Sequence, residues 1–299
     1  MSDLPYQPKG EPITEFIKFD NANFKTVTWK VPQDVTYKGK IVYVHGFSES
    51  AAIYTEFFDK LSQKGYEIFF FEQRGAGETS PGKEVGRTNE EHVFKDLEFM
   101  IKYNLDKRED KEEKLFLAGH LMGGGIVLNY GIKGKYIDQI RAIFVSGPLI
   151  LLHANTEPNI ILRKLAPIVS YLLPNMRFDS KLNYDYITSN EGWKAYIMKH
   201  DKVLVGTARQ FQDMFVRGES LTHKDYVSKF NTSIPLLVLH GTDDNINWIK
   251  GTEKFFSLLN DNMDKEFVPV QGARHNLFLE NEKIFGEVFD KLLSFLSSH

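Results

Sequence analysis

The chain has 299 residues, 37 Lys and Arg against 40 Asp and Glu for a formal charge of −3, and no cysteine. The missing cysteines exclude disulfides, thiolate catalysis and thiolate metal sites, and the near-neutral charge argues against nucleic acid as the main partner, which wants clustered cations. Apolar residues make up 42%, yet no apolar run approaches the roughly 18 residues of a membrane span, and residues 1–10 are polar, so the expectation is an intracellular soluble protein of one large domain, with or without an insertion.

Alternation comes first. Phe16, Ile17 and Phe19, then Phe24, Val27 and Trp29, flank the turn-like Asp20-Asn21-Ala22-Asn23 and predict a β-hairpin. Ile41 to Val44 is a continuous apolar run, as a parallel strand covered on both faces requires. Tyr54, Phe57, Phe58 and Leu61 stand at helical spacing, and Tyr66 to Phe71 predict the next strand. Thr88-Asn89-Glu90-Glu91 has the form of a capping box opening a helix with Val93, Phe94, Leu97 and Ile101. Leu115 to Ala118 (strand), Ile126 to Tyr130 (helix) and Ile143 to Val145 (strand) continue the rhythm. Strands at Leu236 to Leu239 and Phe267 to Val270 enclose a helix at Thr252 to Leu259, and a last helix holds Ile284, Val288, Phe289, Leu292, Leu293 and Leu296. Strand and helix in alternation predict an α/β fold, a mainly parallel sheet with helices on both faces.

Residues 148–231 break the pattern, with no convincing strand and several apolar helical stretches. They predict a helical insertion within a single domain spanning 1–299. Ile160 to Leu173 is apolar around more of its circumference than one buried stripe requires, and Pro167 is expected to kink or split it.

Chemistry concentrates after strand ends. Gly119-His120-Leu121-Met122-Gly123 follows a strand and opens a helix, with glycines two before and two after its centre, the frame of a nucleophile elbow. Its centre is Leu121, which cannot attack a carbonyl. His45-Gly46-Phe47 follows the strand ending at Val44, where a hydrolase places one oxyanion-hole amide; Met122 follows the elbow centre. Asp243 and Asp244 follow one later strand and His275 another, in the order nucleophile position, acid, histidine. Taken singly, a post-strand Asp reads as a helix cap and a lone His as a loop residue; it is the four pieces in order that point to acyl transfer. The glycine turn lacks the G-x-G-x-x-G spacing of a dinucleotide loop, and no His-x-x-x-His pair suggests a helical zinc site.

These motifs, with Gln73-Arg74-Gly75-Ala76-Gly77, Ser146-Gly147-Pro148 and Gly272-Ala273-Arg274-His275, resemble the monoacylglycerol lipase family of the α/β-hydrolase fold, and the fungal monoglyceride lipases most closely, over nearly the whole chain. The resemblance implies Asp244 as triad acid, His275 as base, backbone amides of Phe47 and Met122 as the oxyanion hole, and residues 148–231 as a cap guiding an acyl chain. It implies a monoacylglycerol or similar acyl ester as substrate and no cofactor. It also implies a cytoplasmic enzyme with peripheral contact to membranes or lipid droplets. Glu72 stands where the family usually has Asp. The larger departure is Leu121, where the family has its serine. Three readings follow: a non-catalytic acyl-lipid binding pseudoenzyme, an engineered inactive variant, or a CUG codon that some yeasts decode as serine. We favour the last.

Overall fold

A computed structural model of the chain describes residues 3–200 and 204–299; residues 1–2 and 201–203 of the expected 1–299 and 148–231 spans lie outside the described residues. The first two strands, β1 (Ile13–Phe19) and β2 (Ala22–Trp29), form the expected hairpin. Its turn is tighter than the sequence suggested, because Phe19 pairs with Ala22 and only Asp20 and Asn21 bridge them. Both bridge residues have positive φ, 44° and 61°, the twist that suits a two-residue hairpin and that Asp and Asn tolerate.

The chain then alternates β3 (Gly39–Val44), α1 (Thr55–Ser62), β4 (Tyr66–Phe71), α2 (Glu90–Lys107), β5 (Leu115–His120), α3 (Met122–Lys133) and β6 (Ile140–Ser146). An excursion follows: α4 (Ile160–Leu172), β7 (Arg177–Asp179), α5 (Glu191–His200), β8 (Val205–Thr207), α6 (Ala208–Ser220) and α7 (Lys224–Val227). The chain returns through β9 (Leu236–Gly241), α8 (Ile249–Leu258), β10 (Lys265–Val270) and α9 (Glu282–Ser298). The main sheet has eight strands in the order β1-β2-β4-β3-β5-β6-β9-β10. Every pairing from β4 through β3 to β10 is parallel, and only β1 with β2 and β2 with β4 are antiparallel.

Successive residues of a buried parallel strand feed opposite faces. Ile41 and Tyr43 of β3 join Phe57, Phe58 and Leu61 of α1 and Val288, Phe289 and Leu292 of α9 on one face. Val42 and Val44 join Leu97 and Ile101 of α2, Ile126 and Val127 of α3 and Phe255 of α8 on the other. Two cores sandwich one sheet, as the alternation of elements requires.

Three local expectations are corrected. Helix α2 is capped by Asn89, whose side chain accepts from the His92 amide at 2.8 Å, and Thr88 Oγ1 is buried without a partner. The expected capping box is therefore not formed: the cap lies one residue on, its third helical residue is His92 rather than a glutamate, and the Glu90 amide donates to Asp213. The excursion is not purely helical, since β7 and β8 pair as a short antiparallel ribbon. And α4 runs unbroken through Pro167, with the Asn159 side chain capping it by accepting from the Ile161 and Leu162 amides; proline forgoes its own helical bond there.

Helix α3 starts hard against the end of β3. A Cβ on Gly123 would stand 2.0 Å from the Val44 carbonyl oxygen, whereas one on Gly286 of α9 would meet nothing within 4 Å. Gly123→Ala is expected to destabilise the fold by about 3 kcal/mol through overpacking, and Gly286→Ala to stabilise it by about 0.5–1 kcal/mol through helix propensity. Urea unfolding of both variants checks the contrast.

Candidate active site

The parallel strands end on one side of the sheet, and their following loops meet there. Between β5 and α3, Leu121 adopts φ 53° and ψ −116°, a conformation that costs a leucine about 1–3 kcal/mol. The Leu121 amide donates to the Ser146 carbonyl at 3.2 Å, and its own carbonyl accepts from Leu149 at 2.7 Å and Gly125 at 3.1 Å. The strained residue is thus held from both ends. A Cβ on Gly119 would lie 2.5 Å from the Gly123 carbonyl oxygen, and one on Gly46 would lie 2.9 Å from Leu121 Cβ. The His45-Gly46-Phe47 backbone therefore passes directly beside position 121.

Asp244 follows β9 and is buried. Its Oδ1 accepts from the Ile246 and Asn247 amides at 2.8 and 2.9 Å, and its Oδ2 accepts from His275 Nδ1 at 2.8 Å. Burial pushes the Asp244 carboxyl up, but the charge of His275 and the hydrogen bonds of the adjacent imidazoles outweigh it and hold the group well below the usual carboxylate range. With Nδ1 engaged as donor, His275 leaves Nε2 as its free lone pair, and that atom is buried without a hydrogen-bond partner. The ring lies beside the elbow, 4.6 Å from the ring of His120. The base-bearing loop is stitched to the excursion, the His275 amide donating to Tyr186 and the Asn276 amide to Ile187.

Two buried histidines set the frame without titrating near neutrality. His45 Nε2 accepts from the Gln73 amide at 2.9 Å, so Nδ1 carries the proton and donates to the Gly46 carbonyl at 2.6 Å. Burial brings His45 down to about 4. His120 Nδ1 lies 2.8 Å from the Ser146 carbonyl, and burial with the nearby His275 keeps it well below the ordinary histidine value.

The five positions singled out in the sequence fall into three contacts. Leu121 touches the Gly46 turn, Phe47 and Met122 line a cavity of about 360 Å³ whose lining does not include Leu121, Asp244 or His275, and Asp244 carries His275, whose ring lies against that of His120. What the cluster lacks is a nucleophilic heteroatom at 121. Glu49 is a residue whose part the sequence did not disclose. Its Oε2 accepts from the Gly46 amide at 2.5 Å and the Tyr54 hydroxyl at 2.7 Å, and its Oε1 accepts from Asn276 Nδ2 at 3.3 Å. It joins the Gly46-Phe47 turn to the loop bearing His275. The His-Gly-x-x-Glu spacing was the available signal. Among the described residues, no group of three or more His, Asp or Glu could hold a metal ion.

Known proteins share this fold and much of this sequence. The family model described as serine aminopeptidase, S33, matches residues 36–282. The chain is 39% identical to a monoglyceride lipase of Saccharomyces cerevisiae, covering all of this chain and 98% of that one. It is 33% identical to a putative monoglyceride lipase of Schizosaccharomyces pombe, covering 93% of this chain and 72% of that one. The crystal structure of a soluble variant of the Saccharomyces cerevisiae enzyme, in complex with a substrate analog, superposes with a TM-score of 0.93 over 99% of this chain and 98% of that one.

Because the folded-state value of Asp244 is depressed, its contribution to stability is complete above the unfolded value of about 4 and is lost as pH falls further. Asp244→Asn is expected to lower the urea midpoint at pH 7, and the gap to the parent is expected to narrow as pH falls from about 5 to 3. A gap that widens on acidification would contradict the assignment.

Proposed function

The chain belongs to the serine aminopeptidase S33 family of α/β-hydrolases, among the fungal monoglyceride lipases, and from that premise we propose that it hydrolyses monoacylglycerols to fatty acid and glycerol through a serine at position 121. The observation that carries the nucleophile assignment is the buried, unpartnered Nε2 of His275 beside a strained elbow. An unsatisfied buried nitrogen costs about 1–3 kcal/mol, and a serine hydroxyl on the elbow supplies the missing donor. In that arrangement His275 takes the hydroxyl proton as the serine attacks the ester carbonyl. Asp244 holds the imidazole in the tautomer with its proton on Nδ1. The Phe47 and Met122 amides, one after Gly46 and one at the start of α3, stabilise the tetrahedral oxyanion. His275 then returns the proton to the departing glycerol oxygen, and water releases the acyl group by the same steps in reverse.

Residues 148–231 are read as the cap of a single domain. Its most telling feature is α4. Ten of the sixteen exposed large apolar residues among those described fall between Ile160 and Phe178, with Tyr171 82% and Leu172 66% exposed. Only Ser170 of α4 is buried. A contiguous apolar face of this kind is costly in water and favours contact with a lipid surface, with Lys164 at its polar edge facing headgroups. Its neighbour Arg163 is already paired with Glu157. No helix among the described residues is long and apolar enough to cross a membrane, so the contact is peripheral. The apolar face also favours acyl esters over the peptides that the family description names.

Leucine at 121 supports a second reading, a protein that binds acyl lipids without cleaving them. Leu121→Ser separates the two. It is expected to create monoacylglycerol hydrolysis roughly a million-fold above the leucine chain, lost again on His275→Ala. A folded Leu121→Ser variant inactive on monoacylglycerols and on short aryl esters favours the binding protein. For the cap, flotation with liposomes is expected for the parent and to be lost by the Leu172→Glu, Leu173→Glu variant; equal flotation of the two would leave α4 with no lipid contact of its own.

A further inference from the structure

We infer that His240 is a positioning residue for the triad acid, one that sets how strongly Asp244 supports His275; the inference rests on the hydrolase reading above. His240, in β9, is fully buried, and its Nε2 lies 3.1 Å from Asp244 Oδ2, the same oxygen that His275 Nδ1 reaches at 2.8 Å. Two imidazoles therefore converge on one carboxylate oxygen.

The tautomer of His240 follows from its neighbours. Nε2 faces two acceptors, Asp244 Oδ2 and, at 3.3 Å, the Asn247 carbonyl, so it carries the proton. Nδ1 lies 2.8 Å from Thr252 Oγ1 of α8, itself buried, whose hydroxyl donates to it. The result is a directed chain: Thr252 hydroxyl to His240, His240 to Asp244, with His275 donating to Asp244 from the other side. A histidine that merely filled space in β9 would need neither proton placed this way. All four donors to Asp244 are then accounted for, two amides on Oδ1 and two imidazoles on Oδ2.

Sharing Oδ2 has a consequence for the base. A carboxylate oxygen that already accepts from His240 has less charge to offer the imidazolium that forms on His275 during attack. His240 thus sets how much of that charge reaches His275 and holds the Asp244 carboxylate where His275 meets it. Other groups around His275 do not substitute for this. His120 faces it as a neutral ring, with Glu49 Oε1 behind that ring at 3.5 Å. Arg274 turns away to the Asp185 and Thr188 carbonyls, and Glu280 accepts from the Arg274 amide.

The test compares His240→Leu, which removes the donor, with His240→Gln, whose amide nitrogen reaches the place of Nε2. In the Leu121→Ser background, the acid limb of the kcat/KM pH profile on a monoacylglycerol is expected to move up by roughly half to one pH unit in His240→Leu and to return towards the parent in His240→Gln. The chain with Leu121 offers a readout free of turnover: the His275 Nδ1 proton resonance is expected to move downfield in His240→Leu and to hold its place in His240→Gln. If His240→Leu does not fold, His240→Asn replaces it, since its shorter amide stops at the place of Nδ1. A resonance and a pH limb unchanged on loss of the donor would overturn the inference. A moved resonance together with an inert Leu121→Ser chain would overturn the hydrolase reading and leave the His240 assignment standing.

Discussion

The rest of the site depends on one close approach of backbone to backbone. Where α3 begins, Gly123 lies so near β3 that no side chain fits between it and the Val44 carbonyl, and Gly119 is pressed against Gly123 in the same way. This crowding forces position 121 to φ 53° and ψ −116° and brings its side chain against the Gly46 turn after β3. A helix N-terminus then stands behind it, and negative charge is favoured there. The elbow is a geometric fact before it is a chemical one, and it persists with leucine at its centre.

Around that fixed point, polar side chains tie loops from separate strands into one unit. Glu49 joins the turn after β3 to the loop after β10, through Gly46 and Asn276. Asn247 Nδ2 donates to the Gly147 carbonyl, joining the loops after β9 and β6. Gln73 closes on both the ring and the carbonyl of His45. Each bond lies in or near the buried floor of the site, where water cannot replace it and an unmet group is costly. The outer surface of the excursion is built on the opposite principle, with an apolar helix left facing solvent.

Much of this could be read from the amino-acid order because it is local. Continuous apolar runs marked β3, β5 and β9, the largely apolar Tyr66 to Phe71 marked β4, and helical spacing marked α1, α2 and α9. The order of Gly119-x-Leu121-x-Gly123, Asp244 and His275 along the chain carried the site. What escaped was set by tertiary partners. The antiparallel pairing of β2 with β4 joins residues some forty positions apart. The β7–β8 ribbon is made of three-residue strands, too short for a period to register. Asn89 rather than Thr88 caps α2, and the neighbouring Glu90 amide donates to Asp213, far along the chain. The parts of Glu49 and His240 were not legible either, because Glu49 reaches Asn276, far along the chain, and His240 meets Asp244 and Thr252 only in the folded chain.

A leucine at the elbow leaves the base without its proton donor and keeps the strain that, in a serine hydrolase, aims the nucleophile. Such an arrangement makes physical sense if the residue at 121 is serine in the protein as its own cells make it. Tandem mass spectrometry of the peptide spanning His120 to Met122, from protein isolated from the organism that encodes it, tests this directly. Serine at position 121 is the predicted result. Leucine there would contradict the account and leave a hydrolase scaffold that has kept its machinery without its nucleophile.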